Sequence, residues 1–204
     1  MSRKEDLENF CETAKKESIA VINAMDYVAL YAAADLIREA MARGNRLHVS
    51  GIGKPAHVAG YAASILSSTG TPTYFLHGTE AVHGSCGQLV PGDVVIFISN
   101  SGETGEMKAT VAAIKNNGCQ VIGMGGNPES WLARESAVFL PAKVVCEGGP
   151  LNRAPRMSII AESLVLQALS VVLQADVDVT PQQYIKWHPG GMLGKLRENE
   201  KETR

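Results

Sequence analysis

Val94-Val95-Ile96-Phe97-Ile98-Ser99-Asn100-Ser101-Gly102-Glu103-Thr104 is the stretch whose reading decides the fold. Its apolar half is all β-branched or aromatic, which predicts a strand buried on both faces. That strand runs straight into a turn rich in hydroxyls. The segment beyond reads as a helix, with Met107, Val111 and Ile114 on one face and Gly118 as its stop. A strand that hands two serines, a glycine and a threonine to a helix N-terminus builds an anion pocket. Free backbone N–H groups point outward there, the helix dipole favours negative charge, and the hydroxyls add donors. A phosphate suits such a pocket. The plainer alternative is that Ser101 or Asn100 only caps the helix. Both serines, Gly102 and Thr104 arriving together favour the phosphate.

Outward from this unit the elements alternate. Leu7, Phe10, Ala14, Ile19 and Ile22 predict an amphipathic helix over residues 5–24, and Leu30, Ala33, Ala34, Ile37 and Met41 a second over 27–43, closed by Gly44-Asn45. Strands are expected at 47–50, 73–76, 94–98, 121–124 and 137–140, with helices between most of them and a long helix at 157–174. Short apolar strands alternating with helices predict an α/β fold: a three-layer sandwich with a five-stranded, mostly parallel sheet and helices on both faces, of the flavodoxin-like nucleotide-binding type. Such folds bind ligands beyond the carboxyl ends of their strands, at a topological switch point. The turns at 50–54 and 99–104 both lie at those ends. No repeat, low-complexity linker or composition shift divides the chain. One domain is expected over 1–204, with N-terminal helices to 44, a core over 45–195 and a frayed tail over 196–204.

Composition narrows the function classes. A chain of 204 residues that is 45% hydrophobic can bury a substantial core. A formal net charge of −2 leaves no electrostatic footprint for nucleic acid. Cys11, Cys86, Cys119 and Cys146 show neither CxxC pairing nor metal spacing, and read as reduced thiols. The first residues lack the apolar core of a signal peptide and no run reads as long enough to span a bilayer, so a cytoplasmic protein is expected, with no membrane partner.

Further clusters carry chemistry. Gly51-Ile52-Gly53-Lys54 opens like a dinucleotide fingerprint, but Ala56 stands where the third glycine belongs, and Leu76-His77 supplies no acid after the next strand. Close-approach glycines suit a smaller ligand. A lysine at a helix N-terminus opposes the dipole, so Lys54 is better explained by neutralising a phosphate or polarising a sugar oxygen. His77-Gly78-Thr79-Glu80-Ala81-Val82-His83 invites a metal reading, but Glu80 and His83 sit one helical turn apart with nothing else to complete a ligand set, and Thr79 or Gly78 can cap a short helix there. The loop 143–155 offers Glu147 as a candidate general base and Arg153 as a cation. Glu103 and Glu106 can serve instead as ordinary first-turn acids. His188 lies between Trp187 and Pro189-Gly190-Gly191, a restrained loop suited to proton transfer.

Taken in order, Gly51-x-Gly53-Lys54, Ser67-x-Thr69-Gly70-Thr71-Pro72, Glu80-Ala81-x-His83-Gly84, Ser99-Asn100-Ser101-Gly102-Glu103, Pro150-Leu151 and His188-Pro189-Gly190-Gly191 resemble the sugar-isomerase (SIS) domain of arabinose 5-phosphate isomerases. The resemblance covers about residues 45–195. It implies interconversion of D-arabinose 5-phosphate and D-ribulose 5-phosphate through a cis-enediol, with no metal or organic cofactor. It implies active-site roles for Lys54, Glu106, Glu147 and His188, a phosphate loop at Ser99, Ser101 and Thr104, substrate contacts from Gly53, Glu103 and Arg153, and an inhibitory zinc contact at His83. It implies a homotetramer with sites shared between subunits, His188 acting across an interface, and a catalytic unit standing without the regulatory domains that usually follow it.

The chain also departs from the family pattern. Pro55 replaces a serine, Ser85 an aspartate, and the loop from Gly149 to Ser158 loses hydroxyls of the family pattern and gains two arginines, Arg153 and Arg156. Arginine grips phosphate bidentately, so a different phosphosugar is open. The rival readings are a 6-phospho-3-hexuloisomerase-like activity and a non-catalytic sugar-phosphate sensor. The residues before Leu47 lack a basic recognition helix, which counts against a regulator.

Overall fold

The computed structural model describes residues 2–200. Helices α1 (Arg3–Asn23) and α2 (Tyr27–Ala42) precede a repeating strand–helix pattern: β1 (Leu47–Gly51), α3 (Lys54–Ser68), β2 (Thr73–His77), the short α4 (Gly78–Ala81), β3 (Val94–Ile98), α5 (Gly105–Asn116), β4 (Gln120–Gly125), α6 (Trp131–Glu135) and β5 (Val138–Pro141). The long α7 (Met157–Ala175) and short α8 (Pro181–Trp187) follow. The strands form one sheet in the order β2-β1-β3-β4-β5. Every pairing is parallel, so the sheet is wholly rather than mostly parallel. That order reverses direction between β1 and β3, the switch point of a doubly wound sheet.

Both faces are covered, which is why β1 and β3 are buried along their whole length. On one face Leu47, Val49, Val94, Ile96 and Ile98 pack beneath α2, α3 and α7. On the other, Phe97, Val95 and Val121 pack against Met107, Val111 and Ile114 of α5. The period-two alternation of β3 thus supplies both cores from one strand.

At the N-terminal edge of the sheet, Asp93 ties β1 to β3. It accepts the backbone N–H of Arg46 at 2.9 Å and of Val90 at 3.0 Å, lies 3.1 Å from His48 Nε2 and pairs with Arg46 at 3.1 Å. Burial alone would raise the Asp93 carboxyl, but these bonds outweigh it and hold it below the ordinary 3.8. Burial lowers His48, against the pull of Asp93.

Three expectations need correcting. The apolar stripe of α1 does not all face inward: Glu17 and Val21 are buried, while Leu7, Ile19 and Ile22 are exposed. The reason is that Glu17 Oε2 accepts the Val145 N–H at 2.9 Å, which fixes the helix on the chain between β5 and α7. Second, α7 is long and apolar enough by length and composition to cross a membrane, at 19 residues and mean hydropathy 1.6. Here that apolarity serves the core, where Val165, Leu166, Leu169 and Leu173 are buried. Third, the tail is not frayed throughout. Glu198–Glu200 form a 3-10 turn in which Arg197 N donates to Glu200 Oε2 at 2.8 Å; residues 201–204 lie outside the described residues.

Candidate active site

A cleft of about 310 Å³ opens at the switch point, between the carboxyl ends of β1 and β3 and the first turn of α7. Ser99, Asn100, Ser101 and Thr104 form one wall, Glu106 and Met107 the start of α5, Ile52 and Pro55 the β1–α3 turn, and Ser158, Ile159 and Glu162 the wall from α7. The turns at 50–54 and 99–104 both reach this edge, through Ile52 and through Ser99 to Thr104.

The hydroxyl loop is held from behind by β4 and α6. Ser99 N donates to Met124 O at 2.9 Å, Gly126 N to Asn100 O at 2.9 Å, and Leu132 N to Gly102 O at 3.1 Å. Gly102 has φ +63°, and a Cβ there would overlap the Ser130 hydroxyl, so this position needs glycine on both counts. The serines do not cap α5. Ser99 Oγ accepts the Gly102 N–H at 3.3 Å and Ser101 Oγ the Glu103 N–H at 3.4 Å, forming tight hydroxyl turns, while Thr104 stands at the N-cap without a side-chain bond. Helix α5 therefore presents its first N–H groups without a side-chain cap, beside three hydroxyls.

Glu103 turns away from the cleft. Its Oε1 accepts the Trp131 N–H at 2.7 Å and its Oε2 pairs with Lys108 at 2.8 Å. The Lys108 bond and the Trp131 N–H hold its carboxyl below the ordinary 4.5. It braces the loop against α6 and does not line the cleft. Glu106 does line it, from the first turn of α5.

Gly53, at φ +68°, is the N-cap of α3, and Lys54 begins that helix. Lys54 and His57 line a neighbouring groove that shares Pro155 and Ile159 with the cleft. Glu147 is committed elsewhere: its Oε2 accepts the N–H of Arg156 at 2.7 Å and of Ser158 at 3.1 Å, so it caps α7 in place of the Arg156 side chain. Asn152 Oδ1 binds the N–H groups of Glu147 and Gly148 at 2.7 and 2.9 Å, closing the loop on itself. Arg156 Nη1 donates to Gly148 O at 3.1 Å, while Arg153 is exposed.

His188 is not brought to this cleft within one chain. It ends α8, its Nδ1 is 2.9 Å from Tyr184 O, and its ring stacks on Tyr184 at 4.0 Å. Its neighbour Trp187 packs beside Gly70, between the end of α3 and the start of β2, at the opposite edge of the sheet. His83 is exposed on the turn after α4, and no group of three metal-ligating side chains occurs among the described residues. The cap of α4 is His77, whose Nδ1 accepts the Glu80 N–H at 3.2 Å, rather than Thr79 or Gly78. The cysteines are free thiols; burial raises Cys86 and pushes Cys119 up to about 11, far from thiolate chemistry.

Sequence reasoning missed Ser158 and Glu162, both fully buried in the cleft wall. A signal existed. Glu162 is the lone acid on the buried face of α7, among Met157, Ala161, Val165 and Leu166. Burial, and secondarily the charge of Glu147, pushes its carboxyl up to about 8.

A doubly wound parallel sheet with a hydroxyl-lined cleft at its switch point defines the class: an α/β protein whose cleft lies at the carboxyl ends of its strands. The chain belongs to the SIS-domain family, whose pattern matches residues 40–172. It is 41% identical over 155 residues to arabinose 5-phosphate isomerase KdsD of Pseudomonas aeruginosa, covering 76% of this chain and 48% of that relative. KdsD of Escherichia coli K12 is also 41% identical over 155 residues, covering 74% and 47%. The chain thus spans about half the length of the curated relatives it matches. Among solved structures, an E. coli CFT073 protein in complex with arabinose 5-phosphate superposes with a TM-score of 0.81 at 31% identity, covering 93% of this chain and 100% of that one.

Proposed function

We propose that this chain is an aldose–ketose isomerase interconverting D-arabinose 5-phosphate and D-ribulose 5-phosphate through a cis-enediol. The observation that carries the reading is one cleft in which the hydroxyl loop Ser99, Ser101 and Thr104 shares a rim with the carboxylate of Glu106. Phosphate on the loop leaves the carbonyl end of a small sugar facing that carboxylate. The names of the relatives support the choice of sugar.

In this reading a carboxylate removes the proton from C2 of the aldose, and the electron pair moves onto the carbonyl as the enediol forms. The carboxyl, its proton exchanging with solvent while the enediol is held, then protonates C1, and the O2 hydroxyl gives up its proton as the ketose carbonyl forms. Glu106 is the better placed base, because Glu147 is occupied at the α7 terminus. Lys54 stabilises the developing oxygen charge across the Pro155–Ile159 ridge, and Gly53 sets the turn that delivers it. Arg153 is the reserve cation of the loop. His188, remote in its own chain, assists ring opening or O1/O2 proton exchange from a neighbouring copy, so the active form is a homotetramer with shared sites. We further propose that residues 1–204 act as one SIS unit in the cytoplasm. The free thiols support that compartment, and no cofactor, nucleic acid or membrane enters the reaction.

The test is proton NMR in heavy water with D-ribulose 5-phosphate, D-arabinose 5-phosphate and a 3-hexulose 6-phosphate. Formation of arabinose 5-phosphate carrying deuterium at C2 supports the isomerase and its enediol route. Exchange only on the hexulose phosphate redirects the substrate, and binding without exchange on any sugar favours a sensor.

A further inference from the structure

The carboxyl of Glu162 and the hydroxyl of Ser158 lie one helical turn apart on α7, are fully buried, line the cleft, and have no hydrogen-bond partner among the described residues. Adjacent unsatisfied polar groups at a cleft wall are costly in a folded protein and call for an explanation. Ile98, Met107 and Ile159 line the cleft with them, and the polar side chains of the loop at Ser99–Thr104 make no hydrogen bond to either group.

We propose that Glu162, with Ser158 beside it, is the hydrogen-bonding floor of the cleft for the hydroxyl and carbonyl oxygens of a bound phosphosugar, the phosphate being left to the loop at Ser99–Thr104. This rests on the phosphosugar reading above. The division of labour follows from charge. A phosphate dianion gains from the N–H groups and hydroxyls of the loop and gains little from a carboxyl whose lone pairs face it. A sugar oxygen is the opposite case, because a protonated carboxyl donates one strong hydrogen bond and accepts another.

With its pKa raised to about 8, Glu162 is mostly protonated at neutral pH and can donate. A buried carboxylic acid kept neutral to donate a hydrogen bond is an established way to hold an enolate-like oxygen. The charged groups around it are Glu147 before α7, Glu106 across the cleft, Lys54 and His57 in the adjoining groove, and Glu17 of α1, whose carboxylate is occupied by the Val145 N–H. Of these, Glu147 adds to burial in favouring the protonated form of Glu162.

The test is calorimetric titration of the full chain with arabinose 5-phosphate and, separately, with inorganic phosphate, using wild type, Glu162→Leu and Glu162→Gln. The leucine variant should bind the sugar phosphate about tenfold more weakly, with inorganic phosphate unchanged. The glutamine variant, which keeps a donor, should bind within a few-fold of wild type. Wild-type affinity for the sugar phosphate should also fall as pH rises through about 8, and the glutamine variant should lose that fall. A packing role would not produce the pH difference, so this readout decides even if the leucine variant does not fold.

Equal sugar-phosphate affinity and equal pH profiles in all three proteins would overturn the role of Glu162. If wild type ignores arabinose 5-phosphate but binds another sugar phosphate, the substrate assignment fails alone and the same comparison is made on that sugar. If wild type binds no sugar phosphate, both readings fall.

Discussion

Glu147 Oε2 lies 3.1 Å from the backbone nitrogen of Ser158, and this bond joins the loop after β5 to the helix that walls the cleft. With the Arg156 N–H at 2.7 Å, it makes Glu147 the cap of α7. Glu147→Ala should lower stability by about 1–2 kcal/mol, visible in urea unfolding. Glu147→Gln keeps an acceptor oxygen and should be nearly wild type in stability. In heavy water, Glu106→Gln should abolish exchange at C2 while still binding sugar phosphate. Loss of exchange in Glu147→Gln, with Glu106→Gln active, would reverse the assignment.

Ser99 and Ser101 donate to the phosphate in the proposed complex. Each hydrogen bond to a charged group is worth roughly 1.5–3 kcal/mol, so the double alanine variant should raise KM at least about tenfold with an unchanged circular dichroism spectrum. Unaltered KM would remove the loop from the site.

Asp93 and His48 set the acid stability. A carboxylate depressed by folding contributes stability that is full above its unfolded pKa and disappears as pH falls through the depressed value, so Asp93 fails below about 3.8. A histidine lowered by folding acts earlier: the unfolded chain takes up its proton first, and stability declines as pH drops below 6.5. Thermal melts should show the Asp93 decline below about 3.8, whereas the His48 decline below 6.5 is opposed by Glu162, whose raised carboxyl gains stability as pH falls from about 8, so the His48 window is read in a Glu162→Gln background. Asp93→Ala should cost about 3–5 kcal/mol, because it leaves buried partners unpaired.

His188 tests the assembly. Mixing His188→Ala with Glu106→Gln subunits, each inactive alone, should restore turnover if the histidine serves a neighbour's cleft. Mixtures as inactive as their parents would confine each site to one chain.

Val94–Ile98 announced a doubly buried strand, and the turns after β1 and β3 announced the cleft, because strand burial and turn chemistry are local properties of sequence. The inward face of α1 was misread for an equally physical reason. Its orientation is set by the bond between Glu17 and Val145, residues far apart in the chain. For Glu103 the resemblance implies a substrate contact, whereas in the fold α6 holds its carboxylate through the Trp131 N–H.

Short-range periodicity and motif were enough for the alternation of strands and helices, the hydroxyl loop and the resemblance to sugar isomerases. They could not say that Glu106 reaches the cleft while Glu147 caps a helix, that His188 sits at the opposite edge of the sheet, or that Glu162 is a buried acid at the cleft floor. Those outcomes depend on which side chains meet across the folded chain. Burial and charge, which set what a carboxyl can do, exist only once they have met.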